Sequence, residues 1–316
     1  MTIATAAGID AGKAFLDVAF APNGATFRVP NSKIGIKTIL ARLSRAGIRH
    51  ILLEAIGTYT ATLVQALTAR GFLVGLVNPR RIKAFRDAEA KRAKTDKLDA
   101  ALIARFALVM SDCFRPLPSQ DQIAIKALAA RRRQLVDIVA IEKTRLKQAP
   151  SERIAASHRA AIASLSLERK AIEAELEAAI AQQPRLLPQM QILLSIPGIG
   201  KAVATTLLTD LPELGSIDRR AIASLAGVAP HIQQSGAMPA RAHIGGGRPC
   251  VRAALYVAAL SAARHHPQLR NVYKAMRADG KPAKVALIAL ARKLLTTANV
   301  LIKTNQHFSP KTNNPA

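Results

Sequence analysis

The chain has 316 residues, half of them apolar, which is enough for two or three domains with hydrophobic cores of their own. Its 46 Lys and Arg outnumber its 20 Asp and Glu and give a formal charge of +26, which is typical of proteins that bind polyanions. Its two cysteines, Cys113 and Cys250, are too few for a disulfide framework or a zinc site, charges interrupt its apolar stretches, and its N-terminus lacks an export signal. These features predict an intracellular protein that handles nucleic acid and does not span a membrane.

The positive charge is concentrated toward the C-terminal end. From Arg219 to Ala316 the chain contains fifteen Lys or Arg and a single acid, Asp279. A surface of this kind attracts phosphates and binds them in a salt-dependent way. Because only 3% of the residues are aromatic and Trp is absent, stacking of many bases is not expected. We therefore expect contacts to the backbone of a nucleic-acid duplex.

The first 110 residues alternate predicted strands and helices. Short apolar segments bounded by Gly, Pro or Asn predict five strands, AAGIDAG, FLDVAFA, ATFRVPN, HILLEAIG and FLVGLVNP. Helical spacing predicts one helix in IGIKTILARLSRAG, ended by Gly47, and another in TYTATLVQALTARG, ended by Gly71. The order βββαβαβ, followed by helices, predicts an α/β domain over 1–112 in which helices flank a mixed sheet.

Composition divides the rest of the chain into three parts. Pro116 and Pro118 mark the end of the first domain, and a long, polar, helical region covers 113–188. A mainly helical region rich in small residues covers 189–308, and 309–316 form a predicted flexible tail. The expected organisation is therefore an α/β domain, a helical middle and a mainly α C-terminal domain.

The helical middle has heptad spacing and a predicted break at Pro150. Apolar residues recur every seven positions, at Leu128 and Leu135 and again at Leu165, Ile172 and Ala179. This pattern is typical of a coiled coil. It is compatible with an antiparallel hairpin inside one subunit or with an arm for oligomerisation, and we slightly favour the arm.

Four of the eight acids in the first 112 residues occupy informative positions. Asp10 follows the first predicted strand, and Glu54 lies near the end of a strand that is otherwise predicted to be buried, where a carboxylate needs a cation. Asp96 and Asp99 are three residues apart at the start of a predicted helix and share one helical face. Although Asp96 could simply cap that helix, the four together predict an oxygen-rich site suited to Mg²⁺, where two ions could clamp an in-line phosphoryl transfer.

Three other acids are weaker candidates. Asp17 follows Asp10 by seven residues on the next strand and competes with it as a metal ligand. Asp87 and Glu89 lie among six Lys and Arg, so they are more simply explained as partners on a solvated basic face.

Three motifs together resemble a known family: GID with its following ββ hairpin, the LLEAIG strand, and KTDKLDA. They resemble the RuvC-like version of the RNase H fold with an Asp-Glu-Asp-Asp set, which is the hallmark of the DEDD transposases of insertion sequences, the IS110 (Piv/MooV) family. The resemblance implies that Asp10, Glu54, Asp96 and Asp99 are the four catalytic carboxylates. It also implies that they hold Mg²⁺ or Mn²⁺.

Residues 192–208, ILLSIPGIGKAVATTLL, carry the signature of a helix-hairpin-helix. The tight turn contains Gly198 and Gly200, where backbone N–H groups can face a phosphate, and Lys201 lies beside them. Glycine-rich turns often only connect helices. The apolar residues around this turn favour binding to a nucleic-acid backbone instead.

A polar stretch around Ser235 contains three candidate phosphate-binding residues, Arg241, Arg248 and Arg252. A Ser hydroxyl is a poor nucleophile unless a base or a metal activates it and cations hold the phosphate under attack. On its own, this Ser would more often be a turn residue. His231 is four residues away, but the stretch has no G-x-S-x-G motif.

The segment from Ile196 to Leu295 resembles the C-terminal transposase domain of the same family, in APHIQQSG, IGGGR, VRAALYVAAL and KVALIALARKLL. In that family the Ser of the Ser-Gly pair is the nucleophile and becomes linked to DNA, so the resemblance assigns this role to Ser235. Relatives often have Ser where this chain has Gly245, which supports Ser235 as the functional serine. The resemblance further implies double-stranded DNA as substrate, a tetrameric synapse, and a structured guide (bridge) RNA that pairs with donor and target DNA.

Three other functions remain open from the residues alone. A RuvC-type nuclease or resolvase would use the same carboxylates with water as the nucleophile. A noncatalytic nucleic-acid-binding protein would explain the charge and the PGIG turn, but not Glu54 in a buried strand. The Asp10–Lys13 segment also resembles the first phosphate loop of actin-like sugar kinases, but a second phosphate loop and an adenosine-binding glycine motif are not found.

Overall fold

The computed structural model describes residues 3–54, 59–89, 96–114, 117–233 and 241–309. The chain divides into two compact units, 1–118 and 119–316. The first unit ends at Pro118, close to the predicted boundary at 112. The helical middle, which the sequence separates from the C-terminal region, shares the second unit with it.

Five strands form one sheet in the first unit. They are β1 (Ala6–Ala11), β2 (Phe15–Ala21), β3 (Thr26–Pro30), β4 (His50–Glu54) and β5 (Leu73–Val77). The order in the sheet is β3-β2-β1-β4-β5, in which β1, β4 and β5 are parallel and β2 is antiparallel to both of its neighbours. All five strands lie where the sequence predicts them.

Helices cover both faces of this sheet. They are α1 (Lys33–Arg45), α2 (Ala61–Ala69), α3 (Pro79–Ala88) and α4 (Asp96–Val109). Successive strand residues point to opposite faces, so Ile9 clusters with Ile39 of α1, whereas Leu52 clusters on the other side with Ile103 of α4. A mixed sheet of this strand order with helices on both faces is the RNase H-like architecture. The predicted fold class is therefore confirmed.

Helix α1 shows how the sequence specifies these elements. The Ser32 hydroxyl accepts a hydrogen bond from the backbone N–H of Gly35 and so satisfies one of the open donors of the first turn. Ile36, Ile39 and Leu43 recur at helical spacing and are buried against the sheet. Gly47 follows with φ of +64°, a conformation that glycine adopts without steric cost, and the chain turns into β4.

The backbones of β1 and α4 are almost in contact at Gly8. A Cβ atom at this position would lie 2.2 Å from the backbone nitrogen of Ala104 and 2.3 Å from the carbonyl oxygen of Ala100. Only glycine permits this approach. The small residues on α4 keep the helix close to the strand.

The helical middle is an antiparallel hairpin of α5 (Gln120–Lys147) and α6 (Glu152–Ala181), separated at the predicted break. Leu135 is fully buried, which agrees with its predicted place in the heptad. The hairpin inside one chain is therefore present, against our slight preference for an arm. Ile141 and Leu167 remain at least half exposed, so an additional role in oligomerisation stays a prediction.

In the described residues, the remainder of the second unit consists of helices and one pair of strands. Its elements are α7 (Leu186–Ser195), α8 (Lys201–Asp210), α9 (Arg219–Ala226), β6 (Pro230–Gln233), β7 (Arg241–Ile244), α10 (Pro249–His265), α11 (Pro267–Ala278) and α12 (Ala283–Thr304). Its core includes Leu255 of α10 and Leu290 and Leu294 of α12. Arg133 of α5 is paired with Asp210 of α8 at 2.6 Å, and this contact joins the helical hairpin to the rest of the unit.

Helix α12 is long and apolar enough to cross a membrane by length and composition alone, although the charges in the sequence led us to expect no such helix. Half of its most apolar window is buried inside the protein. The buried side includes Ala291, Leu295 and Ala298, which pack in the core of the second unit. Its hydrophobicity is thus accounted for by this core.

We expect Gly8→Ala to destabilise the first unit by about 1–3 kcal/mol or more, because the added methyl group overlaps the backbone of α4. Urea unfolding followed by circular dichroism measures the change. Gly245→Ala is the matched control, since a Cβ there meets nothing within 4 Å and the expected change is below about 0.5 kcal/mol. Equal stability of the two variants would contradict the close packing of α4 on β1.

Candidate active site

Asp10 and Glu54 lie side by side at the carboxyl ends of two parallel strands. Gly8 is paired with Leu52 and Ile9 with Leu53, and this register, continued by one residue, brings Asp10 beside Glu54. Both carboxylates therefore lie on the face of the sheet that α4 covers, because side chains two residues apart share a face. Both are partly exposed.

The first turn of α4 approaches the same end of the sheet. Gly8 contacts Ala100 and Ala104 of α4, and Ala6, earlier in β1, lies in the same cluster as Ala107, later in α4. The helix is therefore antiparallel to β1. Asp10 lies about 7 Å beyond Gly8 along the strand. The helix begins at Asp96, whose side chain lies outside the described part of the chain, and thus begins on the side of Asp10.

Asp99 faces inward and is paired with an arginine. It is 8% exposed, and its Oδ1 accepts a hydrogen bond from Arg86 of α3 at 2.5 Å. Burial of a carboxylate requires a counter-charge, and Arg86 supplies it here. Arg86 belongs to the basic stretch that the sequence treats as a solvated face, but its half-buried position shows that this side chain turns inward.

The spacing of α3 could have indicated this orientation. Phe85 and Arg86, both half-buried, lie three and four residues after the buried Ile82, so both lie on the same side of the helix as Ile82. A basic residue on the buried face of a helix needs an acidic partner. The sequence contains this signal, but it does not identify the partner.

The chemistry of these carboxylates suits a hard divalent cation. Mg²⁺ and Mn²⁺ prefer carboxylate oxygens, and two carboxylates at adjacent strand ends beside the start of a helix offer such ligands. Within the ranges that the structure describes, no three His, Cys, Asp or Glu side chains are grouped closely enough to hold a metal ion. The structure therefore does not gather Asp10, Glu54 and Asp99 into one metal-binding group, and the side chain of Asp96 lies outside those ranges.

The three weaker acids have partners. Asp17 is 4% exposed and is held by Arg28 in a two-pronged ion pair at 2.8–3.0 Å, which gives it a structural role on β2. Asp87 is paired with Lys83 on the exposed side of α3, as predicted. Glu89 is bound by Arg105 of α4 at 2.8 Å, so it ties α3 to α4.

Ser235 lies outside the described residues. The strands that flank it in sequence, β6 and β7, are antiparallel, and they pair His231 with His243. This hairpin is the part of the second unit that leads into and out of the Ser235 segment. The role of Ser235 stays a prediction.

At the predicted helix-hairpin-helix, the structure has the two helices α7 and α8, which are joined by a short turn. Gly198 has φ of +88°, and a Cβ there would lie 2.5 Å from the carbonyl oxygen of Ala258 in α10, so packing alone requires glycine. Gly200 precedes α8 and faces open space. Lys201 is exposed and is paired with Glu177 of α6 at 2.9 Å.

Two of the three predicted phosphate-binding arginines have partners within the protein. Arg248 makes a two-pronged pair with Glu213 at 2.6 and 2.8 Å, and this carboxylate raises the pKa of the guanidinium. Arg252 donates to the carbonyl oxygen of Gly246 at 2.8 Å and holds the glycine-rich loop before α10. The side chain of Arg241, at the start of β7, lies outside the described part.

Two family models match the chain. Residues 7–150 match the model of a family described as Transposase, of the DEDD type from IS110. Residues 190–274 match the model described as Transposase IS116/IS110/IS902 family. The first match contains all four predicted carboxylates, and the second contains Ser235.

Two curated relatives and one solved structure are similar to the chain. The pilin gene-inverting protein of Moraxella bovis is 31% identical over 270 residues, which cover 83% of this chain and 82% of that protein. The protein of the same name from Moraxella lacunata is 30% identical with the same coverage. T. thermophilus RuvC, solved in complex with a Holliday junction substrate, is 16% identical with a TM-score of 0.28 and covers 35% of this chain and 96% of its own.

We expect Arg86→Met to destabilise the first unit by about 3 kcal/mol, because it leaves the Asp99 carboxylate buried without its cation. Lys83→Met is the control on the same helix, since the Lys83–Asp87 pair is exposed and contributes less than about 1 kcal/mol. Urea unfolding of both variants checks the difference. If the two substitutions cost the same, Arg86 is not the partner that stabilises Asp99.

Proposed function

Because this chain belongs to the IS110 family of DEDD transposases, we propose that it mobilises its own insertion sequence by site-specific cleavage and exchange of DNA strands. It is a DNA recombinase, and its reaction is phosphoryl transfer on DNA. The observation that carries the finer proposal is the adjacency of Asp10 and Glu54 beside the first turn of α4. Carboxylates placed together at the carboxyl ends of two strands repel one another and so lower the stability of the fold. Their placement is better explained by a role in phosphoryl transfer.

Asp10, Glu54, Asp96 and Asp99 would together hold Mg²⁺ or Mn²⁺. When bound, the metal would neutralise charge on the scissile phosphate and so favour attack on phosphorus. Glu54 and Asp10 would be fixed by the β4–β1 register, so their relative position depends on backbone hydrogen bonds and not on a loop. Arg86 would hold Asp99 in place on α4.

The Ser235 hydroxyl would be the nucleophile on that phosphate. Its Oγ–P bond forms as a bridging P–O bond of the DNA breaks, the Ser proton leaves, and the released DNA hydroxyl gains a proton. One phosphodiester bond replaces another, so the energy for rejoining is kept and no ATP is needed. In the reverse reaction a hydroxyl of a different DNA strand attacks the phosphorus, and the Oγ–P bond breaks. This step joins the strand to its new partner and returns the proton to Ser235.

The positive surface of the second unit would hold the nucleic acids. Double-stranded DNA is the substrate, and a structured guide RNA encoded by the element would pair with donor and target DNA, in a tetrameric synapse. Gly198, Gly200 and Lys201 at the α7–α8 turn and Arg241 and Arg252 near the hairpin would contact phosphates. Arg248 would act mainly by fixing the start of α10, because Glu213 already neutralises it.

Asp10→Asn is expected to abolish cleavage of a supercoiled plasmid that carries the element junction, since it removes one metal-binding carboxylate. The assay contains Mg²⁺ and RNA transcribed from the DNA that flanks the reading frame. Loss of at least about a hundredfold in rate is expected. Asp87→Asn is the matched control, because that carboxylate is exposed and its one ion pair among the described residues is with Lys83. Retention of cleavage by Asp10→Asn would contradict the proposed carboxylate site.

Ser235→Ala is expected to abolish a covalent protein–DNA complex that the wild-type protein forms with labelled junction DNA. Denaturing gel electrophoresis detects this complex, because a phosphoserine link survives the detergent. Ser224→Ala, an exposed serine of α9, should leave the complex unchanged. Cleavage that persists in Ser235→Ala without a covalent complex would instead identify a RuvC-type nuclease that uses water.

A further inference from the structure

A large groove lies in the second unit between α9, the β6–β7 hairpin, α10 and α12. Its volume is about 960 Å³, at the upper end of the range of ligand-binding clefts. Pro230, His243 and Ile244 of the hairpin form one side, and the first half of α12 forms another. None of the residues that line it is a residue to which the proposed function gives a role.

Among the residues that the structure describes, five cations and no acid line this groove. The cations are Arg219 and Arg220 at the start of α9 and Lys284, Arg292 and Lys293 on α12. In the ion pairs formed among the described residues, none of these five takes part, whereas Arg133, Lys201 and Arg248 of the same unit each have an acidic partner. The groove therefore concentrates positive charge that the protein itself does not neutralise.

The nearest acid in sequence is already used. Asp218 precedes Arg219, and its carboxylate accepts hydrogen bonds from the backbone N–H groups of Arg220 and Ala221 at the start of α9. These bonds lower the pKa of Asp218 and keep the carboxylate on the helix end. Arg220 also attracts this carboxylate through its charge, but no hydrogen bond or ion pair with a described residue occupies the guanidinium groups of Arg219 and Arg220.

The floor of the groove is apolar. Tyr256 of α10 and Ile288 of α12 are half-buried and pack against the core of the unit, and Val285 lies on the exposed side of α12. Val285 is 53% exposed, so the protein itself covers little of this surface. Phosphates alone would gain nothing from such a floor, whereas the flat face of a base would be buried on it.

We propose that this groove binds single-stranded DNA, with one unpaired base on the apolar floor and the flanking phosphates on the five cations. The ligand combines an apolar ring with negative charges, which is the complement of an apolar floor between cations. Aromatic residues are too scarce for an array of stacked bases, but a single base requires only Tyr256 and its aliphatic neighbours. Contacts to a duplex backbone stay a prediction for the rest of the surface.

The choice of DNA rests on the proposed function. The groove is bordered by the two strands that flank Ser235 in sequence, and the proposed substrate of Ser235 is a DNA strand. A strand that is cut and joined to a new partner must leave its old complement, so nucleotides near the reacting phosphate become unpaired. The groove would hold such a nucleotide while the strand changes partner.

Fluorescence anisotropy with the full-length protein and a labelled twelve-nucleotide DNA strand tests the proposal, in EDTA so that no cleavage occurs. Replacing the central bases by abasic sites should weaken binding by about tenfold, which is typical for loss of base stacking. In Tyr256→Leu, which keeps an apolar side chain, the abasic substitution should weaken binding by less than about threefold. This coupling separates base binding on the floor from a general effect on the fold.

The charge contribution is tested by Lys284→Gln combined with Arg292→Gln. The slope of log affinity against log salt concentration should fall by about 1.4, because each phosphate contact to a single strand contributes about 0.7. Lys274→Gln combined with Lys303→Gln is the matched control, since both lysines are exposed, lie on α11 and α12 and do not line the groove. This control should leave the slope unchanged.

Three results would overturn the proposal. They are equal binding of abasic and intact strands, tighter binding of RNA of the same sequence, and an effect of the groove substitutions on self-association alone, measured by sedimentation. The last result would show that the groove receives a second copy of the chain. Because binding is measured without metal, these outcomes are independent of the junction-cleavage assays, which test the proposed function.

Discussion

The structure of the first unit depends on the contact between α4 and β1 at Gly8. A side chain at this position would push the helix away from the sheet, because the backbone atoms of Ala100 and Ala104 already fill the space. The contact fixes the start of α4 against the carboxyl ends of β1 and β4. This packing and the β1–β4 register bring Asp10, Glu54 and the first turn of α4 to the same end of the sheet, and Arg86 neutralises Asp99 on that helix.

Several acids of the second unit stabilise its own structure. Asp210 and Glu213 pair with arginines, Glu177 pairs with Lys201, and Asp218 caps α9. Each of these carboxylates neutralises a cation or a helix end that holds elements together. The chain has a formal charge of +26, and in the groove beside α12 five cations that form no ion pair with any described residue surround an apolar floor. The positions of the acidic side chains thus decide, as much as those of Lys and Arg, which surface can bind phosphates.

The elements of the fold could be predicted because their signals are local. Apolar runs and glycine ends give the strands and helices of the first unit, and the order of strands limits the sheet to few topologies. The roles of single charged residues could not be predicted in this way. Arg86 is one of six basic residues near Asp87, and its role as the partner of the buried Asp99 is visible only in the folded structure. Gly198 was expected to face a phosphate, yet its packing against α10 already requires a glycine.

By itself, the sequence determined the fold class, the four candidate carboxylates and the strongly basic C-terminal region, because periodicity, residue type and net charge are properties of the chain. The tertiary structure decided which charges are neutralised and which remain. It pairs Asp17 with Arg28 and Arg248 with Glu213, and it leaves Lys284 and Arg292 in a groove that no described acid lines. The physical reason is that an ion pair depends on the distance between side chains far apart in sequence, such as Arg248 and Glu213. That distance is set only when the helices and strands pack.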